Sequence, residues 1–187
     1  MMSPRIAMLL AALAVGPALA QQREVDTKRS QVSFTYTLEK KITVEGAFPK
    51  WRAEVAFDDK QLAKSSVRFE IELAAIATGS SDSDREAVGA GWFDAANHPL
   101  ATFVSDSVRK LADDRYEAVG KLTMKGKTRD ASIPFTLFPV AGGGLVAQGK
   151  FIVQRLAFGV GDGPSADTSQ VADEVEVQFN LVVSPAK

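Results

Sequence analysis

Apolar and polar side chains alternate with a period of two over most of the chain after residue 30. In VSFTYTL, at residues 32–38, every second residue is apolar, and VRFEIEL at 67–73 and VEVQFNLVV at 175–183 repeat this pattern. Because successive side chains of a β-strand point to opposite faces, each segment predicts a strand with one apolar and one polar face. Such strands are typical of antiparallel sheets with water on one side.

About eight strands are predicted before the last one, and turn signals separate them. They lie near residues 25–38, 42–48, 51–58, 66–76, 101–110, 115–124, 127–139 and 145–155, and a further strand near 173–184 completes the chain. Lys125-Gly126 has the length of a tight hairpin, and the glycines at 142–144 mark another turn. A sheet of this size closes or packs on a second sheet, so periodicity leaves a barrel and a sandwich open.

One segment, SSDSDREAVGAGWFD at residues 80–94, departs from the strand pattern. Ser83 followed by Glu86 fits a capping box, and acidic residues in a first turn suit the helix dipole. We predict one short helix from about 83 to 91, with two aromatic residues, Trp92 and Phe93, directly after it. These aromatic residues, together with Phe103, suit either the core or the inner end of a ligand cavity.

The first twenty residues have the pattern of a secretory signal peptide. Arg5 precedes an apolar run, and Ala18-Leu19-Ala20 fits a signal peptidase site. We therefore predict a signal peptide at residues 1–20 and one β-barrel domain at 21–187. The apolar run is too short to span a bilayer, so we expect no integral membrane segment after cleavage.

Charge and composition exclude several classes of function. The whole chain has 22 basic and 23 acidic residues, a balance that argues against nucleic acid as a partner. The absence of cysteine excludes disulfides, thiolate metal sites and a cysteine nucleophile. A lone histidine, His98, gives no basis for a metal site, and Asn97-His98-Pro99 predicts a turn instead. The glycine-rich stretch at 159–164 lacks the end of a phosphate loop and suits a mobile loop at a barrel mouth.

Five stretches in order resemble the YceI-like family, from about Glu24 to Val183. They are VDTKRSQVSFTYTL, VEGAFPKW, GWFDAANHPLATFVSDSV, GKLTMKGKTRDASIPF and FIVQRLAFGVG. The resemblance implies an extended, lipocalin-like antiparallel β-barrel in an exported, periplasmic protein that holds long isoprenoid or fatty-acyl molecules. The chain departs from the family where many members have histidine, because Arg29, Ser30 and Glu39 stand at or near those positions here.

The apolar faces of the strands and the aromatic residues after the helix are the predicted ligand-binding residues. They are Phe34, Tyr36, Phe48, Phe57, Phe69, Ile71, Trp92, Phe93, Phe103, Leu122, Met124, Phe135, Leu137, Phe151, Val153 and Phe179, with Arg155 added as a polar residue. Arg155 would either meet a ligand head group or form a salt bridge at a strand end. Burial of an apolar chain is worth about 0.8 kcal/mol per CH₂, so binding needs no catalytic motif.

These observations favour a periplasmic carrier or storage protein for an isoprenoid or other long-chain amphiphile. In this interpretation the protein is not an enzyme, has no catalytic residues and needs no cofactor beyond the bound lipid. Two alternatives remain at this stage: an accessory protein that acts on an isoprenoid quinone, and an envelope-stress interaction module with a filled barrel. The sequence also leaves a homodimer open.

Overall fold

Ten antiparallel strands form one sheet in the computed structural model, which describes residues 22–185. The strands are β1 (Gln22–Arg23), β2 (Gln31–Leu38), β3 (Ile42–Ala47), β4 (Trp51–Ala56), β5 (Ser66–Glu72), β6 (Leu100–Lys110), β7 (Arg115–Met124), β8 (Lys127–Pro139), β9 (Leu145–Gln154) and β10 (Val171–Val183). A single α-helix, α1, spans Ser81–Ala87, and short 3₁₀ turns lie at Leu62–Lys64, Leu73–Ala75, Arg155–Phe158 and Gly163–Ala166 within the described residues.

The sheet curls until its two edges face each other. Its strand order is β1-β4-β5-β6-β7-β8-β9-β10-β2-β3, so that β1 and β3 are the edge strands. Among the described residues β1 and β3 do not pair with each other; isolated bridges instead join Val25, just after β1, to Val183 of β10, and Ala47 of β3 to Ala77 in the loop after β5. The result is an incompletely closed barrel with the apolar faces of the strands inside.

The all-β, antiparallel class with one short helix is confirmed, whereas the predicted count of about eight strands is wrong. The strand predicted near 25–38 begins only at Gln31, because the chain turns around Asp26, and β1 at Gln22–Arg23 was not predicted. The Asp26 carboxylate accepts hydrogen bonds from the backbone N–H groups of Lys28 and Arg29, at 3.1 and 3.3 Å. The predicted signal peptide lies outside the described residues.

The predicted helix boundaries are also wrong, because the residue assigned as the cap has another position. The helix begins at Ser81 after Ser80 and ends at Ala87. Ser83 lies inside the helix, and the carboxylate of Asp84 fixes the preceding loop by accepting hydrogen bonds from N and Oγ1 of Thr78, both at 2.7 Å. The first-turn carboxylate therefore bonds to the loop before the helix instead of forming a capping box.

Aromatic rings lie over glycines on the inner face of the sheet. Phe34 pairs with Gly46 across β2 and β3, and Phe179 pairs with Gly149 across β10 and β9. A Cβ atom at Gly46 would lie 2.2 Å from Cζ of Phe34, and one at Gly149 would lie 2.5 Å from Cζ of Phe179. Because glycine has no side chain, these rings approach the backbone closely instead of filling the space at the centre of the barrel.

Candidate functional site

Two adjoining cavities occupy the interior of the barrel. We call them the wide cavity, of about 390 Å³, and the narrow cavity, of about 140 Å³. Five residues line both and are called the junction residues: Ile71, Ala101, Leu122, Phe151 and Val177. Because these apolar side chains line both spaces, the two cavities lie next to each other.

The narrow cavity lies at the end of the barrel where β8 meets β9 and where β10 ends. All of its lining residues except Arg23 and Thr102 are apolar. Its lining beyond the junction residues is Arg23, Val32, Val55, Phe57, Val67, Phe69, Thr102, Phe103, Ala118, Ile133, Phe135, Leu137, Leu145, Ala147, Phe179, Leu181 and Val183. The side chains at this end of the interior are therefore almost all apolar.

The wide cavity is apolar near the junction and polar at its far end, where α1 and residues 155–171 cover it. Its apolar lining comes mainly from β2, β5, β7, β9 and β10. Its polar lining residues are Tyr36, Thr78, Ser83, Glu86, Arg155, Ser165 and Gln170. Sequence reasoning missed most of them because they lie in α1 and in loops, where no period of two marks the inward face.

Each predicted ligand-binding residue lines one of the two cavities. Those that line the wide cavity are Phe34, Tyr36, Phe48, Trp92, Phe93, Met124, Val153 and Arg155. Those that line the narrow cavity are Phe57, Phe69, Phe103, Phe135, Leu137 and Phe179. The three among the junction residues are Ile71, Leu122 and Phe151. Trp92 and Phe93 line the wide cavity, whereas Phe103 lines the narrow one. Contact of these residues with a ligand stays a prediction.

Arg155 is buried, and every N–H group of its guanidinium donates to a backbone carbonyl. Its side chain is 3% exposed. Nε donates to Ala172, Nη1 to Val160 and Gly161, and Nη2 to Ser165 and Val171, at 2.7 to 3.0 Å. Since a guanidinium has five N–H donors, none is left for a carboxylate or a head group. The expected salt bridge is therefore replaced by bonds to carbonyls, while contact of Arg155 with a ligand stays a prediction.

Instead, Arg155 fixes the segment 155–171 over the end of the wide cavity. Its guanidinium carbon lies 5.3 Å from the ring centroid of Trp92, a distance at which a cation is attracted to the ring face. Burial lowers the pKa of Arg155, and the nearby charge of Asp173 acts in the opposite direction. The glycine-rich stretch at 159–164, predicted as a mobile loop at the mouth, does lie there, and the carbonyls of residues 160 and 161 bond to Arg155.

Glu86, Tyr36 and Trp92 form a polar group at the same end. The indole Nε1 of Trp92 donates to Oε1 of Glu86 at 3.1 Å. Burial raises the pKa of Tyr36, and the negative charge of Glu86 raises it further. The Tyr36 hydroxyl therefore stays protonated and available as a hydrogen-bond donor at neutral pH.

His98 lies outside both cavities, in the loop before β6, and it packs against the hairpin between β7 and β8. Its Nε2 is 4.0 Å from Oδ2 of Asp94, and its ring lies against Gly126. Within residues 22–185, no three histidine, cysteine, aspartate or glutamate side chains are placed to hold a metal ion. The position of His98 fits the turn predicted for Asn97-His98-Pro99.

A curled antiparallel sheet around an apolar cavity with one polar end defines a lipocalin-like architecture. The sequence profile of the YceI-like domain matches residues 24–183, and the chain belongs to this family. Protein YceI from Escherichia coli is 28% identical over 138 residues, which cover 70% of this chain and 72% of that protein. A UPF0312 protein from Pseudomonas savastanoi is 27% identical over 143 residues, covering 68% of this chain and 71% of that protein.

Solved structures share the fold. BcnA from Burkholderia cenocepacia superposes with a TM-score of 0.81 at 37% identity, covering 85% of this chain and 99% of BcnA. A polyisoprenoid-binding domain from Saccharophagus degradans, implicated in plant cell wall breakdown, gives a TM-score of 0.70 at 13% identity, covering 90% of this chain and 99% of that domain. At that identity the second likeness shows the fold alone. None of the helices between residues 22 and 185 is long and apolar enough to cross a membrane.

Proposed function

We propose that this protein binds a long-chain isoprenoid, or an amphiphile of similar length, in its two cavities and acts as a carrier or store in the periplasm. The observation that carries the proposal is the junction, where an apolar cavity with one polar end lies next to a second cavity that is almost wholly apolar. A chain that lies across the junction would bury its tail in the narrow cavity and place its head group beside α1.

The dimensions of the interior support an elongated ligand. Every second residue of β10 from Val175 to Val183 lines one of the cavities. At about 3.3 Å per residue this stretch of strand is roughly 26 Å long. Each CH₂ group that leaves water contributes about 0.8 kcal/mol, so a long tail supplies the affinity without specific polar contacts.

The relatives support the same class of ligand. The structural neighbour from Saccharophagus degradans is a polyisoprenoid-binding domain. Export to the periplasm rests on the predicted signal peptide at residues 1–20 and on the family. The interaction module with a filled barrel fits less well, because the interior of this barrel holds two cavities.

A binding protein also fits the lining chemistry better than an enzyme. The lining of the two cavities contains one carboxylate, that of Glu86, and no histidine or lysine within the described residues. General acid–base catalysis needs a titratable donor and acceptor within hydrogen-bond reach of the reacting atoms. We therefore propose a non-catalytic role, with the bound lipid as its ligand.

Mass spectrometry of the bound lipid tests the proposal. The chain is expressed with its own N-terminus in a Gram-negative host and purified from the periplasm without detergent, and its organic extract is compared with one from a mock purification. We expect a long isoprenoid species that is absent from the mock extract. Extracts without lipid, together with no uptake of the polyprenol solanesol from vesicles by the purified protein, would refute the proposal.

A further inference from the structure

The polar end of the wide cavity presents one available charge, and that charge is negative. Among the described residues that line the cavity, Glu86 and Arg155 are the charged ones. Arg155 donates all of its N–H groups to backbone carbonyls, as described above. A head group at this end therefore meets the carboxylate of Glu86 and no lining cation with a free donor.

Several neutral hydrogen-bonding groups surround this carboxylate. Tyr36, Ser83, Ser165 and Gln170 line the same end of the cavity. In the part of the chain that the structure describes, none of these four side chains has a hydrogen-bond partner. They are therefore free to donate to, or accept from, a bound molecule.

Glu86 is held in position by its place in α1 and by a hydrogen bond from Trp92. The helix α1 carries it at the rim, and the indole N–H of Trp92 bonds to Oε1 at 3.1 Å. The protonated hydroxyl of Tyr36 lies within the electrostatic influence of the same carboxylate. The rim thus combines a fixed hydrogen-bond acceptor in Glu86 with a donor in Tyr36.

We infer that the cavity accepts chains with a neutral, hydroxyl-bearing head group and that Glu86 discriminates against phosphorylated chains. A hydroxyl group donates to the Glu86 carboxylate and accepts from the Tyr36 hydroxyl. A phosphate group carries a charge of about −1.5 to −2 at neutral pH, and it would lie beside a carboxylate with no free cation among the described lining residues to pair with it. This inference rests on the proposed function and narrows its ligand class.

A competition between two ligands with the same chain tests the inference. Phosphatidylcholine vesicles that contain equal amounts of solanesol and solanesyl monophosphate are incubated with the lipid-free, exported protein. The bound lipids are quantified by mass spectrometry after the vesicles are removed. Like-charge repulsion at this rim predicts that the alcohol exceeds the phosphate by roughly tenfold in the bound fraction.

Two variants of α1 separate the role of Glu86 from a general effect of charge. Glu86→Gln removes the charge while its side-chain oxygen still accepts from Trp92, and the ratio of bound alcohol to bound phosphate should fall several-fold. Asp82→Asn removes the same charge from an exposed residue of α1 that lines neither cavity, and the ratio should match that of the unaltered protein.

The outcomes distinguish this inference from the proposed function. Equal uptake of both lipids by the unaltered protein would overturn the neutral head group while the carrier function stands. A ratio that Glu86→Gln leaves unchanged would overturn the role of Glu86. Uptake of neither lipid would contradict the proposed function itself, and this inference with it.

Discussion

Single glycines on the inner face keep the barrel open. Gly149 is the clearest case, because the Phe179 ring occupies the space where its side chain would lie, and the carbonyl oxygen of Pro134 is equally close. A larger residue at such a position has to displace either a ring or the backbone. The volume of the cavity is thus set by residues that contribute no side chain to its lining.

Replacement of this glycine by alanine should destabilise the protein. In Gly149→Ala the added Cβ would lie 2.5 Å from both Cζ of Phe179 and the oxygen of Pro134, and the backbone oxygen cannot move away easily. Overpacking of this kind costs about 1–3 kcal/mol. Urea unfolding followed by circular dichroism measures the loss in unfolding free energy.

Gly91→Ala is the matched control for this substitution. Its Cβ would have nothing within 4 Å, so its unfolding free energy should stay within about 0.5 kcal/mol of the original value. Equal unfolding midpoints for the two variants would show that a Cβ atom at residue 149 can be accommodated beside the Phe179 ring.

At the scale of elements, the segment 155–171 and α1 form the cover of the wide cavity. The carbonyls that Arg155 binds are spread from residue 160 to residue 172, so that one side chain holds the whole segment in place. The segment contains two 3₁₀ turns, Arg155–Phe158 and Gly163–Ala166, but no strand or α-helix of its own. Arg155 therefore adds five hydrogen bonds to the backbone bonds of this segment, such as that from Val160 N to the carbonyl oxygen of Arg155 at 3.0 Å.

Arg155→Lys should loosen the cover while the sheet remains folded. Lysine keeps the charge but has three donors on one atom, so it cannot reach the five carbonyls. Unpaired buried carbonyls should lower the unfolding free energy by about 2–4 kcal/mol. Hydrogen exchange measured by mass spectrometry should accelerate in peptides from residues 159–171.

An exposed arginine provides the comparison for this change. Arg129 on β8 donates to the carbonyl of Thr128, and Arg129→Lys should leave exchange in residues 159–171 unaltered. If both variants exchanged alike in that segment, the hydrogen bonds of Arg155 would not be what orders it.

The strands and the approximate place of the cover were predictable from the sequence, but the contacts that hold the cover were not. Period-two alternation identifies the inward residues of β2, β5 and β10, because burial on one face selects every second residue. Arg155 carries no such signal: five carbonyls converge on it only after residues far apart in the chain have folded together. The rim residue Glu86 was missed for a different reason: its helix is too short to show a helical period that would mark its inward face.

For the whole molecule, the length of the interior is set by the junction residues. If the junction side chains pack against one another, only the wide cavity can take up a ligand. If they stay apart, a lipid chain can extend into the narrow cavity. Ala101 has the smallest side chain among them, and it is 7% exposed. The junction should therefore determine which chain lengths fit.

Ala101→Leu should shift the preference of the protein towards shorter chains. The added carbons narrow the junction and exclude the tail of a long chain from the narrow cavity, at about 0.8 kcal/mol for each CH₂ returned to water. In competition from vesicles, the ratio of bound solanesol to bound geranylgeraniol should fall by roughly tenfold or more. Retained binding of geranylgeraniol would show that the variant is folded.

Val104→Leu tests the same strand on its outward side. Val104 is exposed on β6 and lines neither cavity, so its enlargement should not alter the chain-length ratio. Identical ratios for Ala101→Leu and the unaltered protein would show that chains do not cross the junction.

The barrel is held together by few hydrogen bonds on the side next to the edge strand β3. Ala47 of β3 and Ala77 in the loop after β5 exchange two backbone hydrogen bonds, at 2.8 and 3.0 Å, whereas β9 and β10 pair along ten residues. Because each backbone hydrogen bond contributes only about 1 kcal/mol net, β3 separates from this loop at a far lower cost than two neighbouring long strands separate from each other. A ligand too broad for the interior would therefore widen the barrel along its side, where β3 separates from this loop, and not at its end.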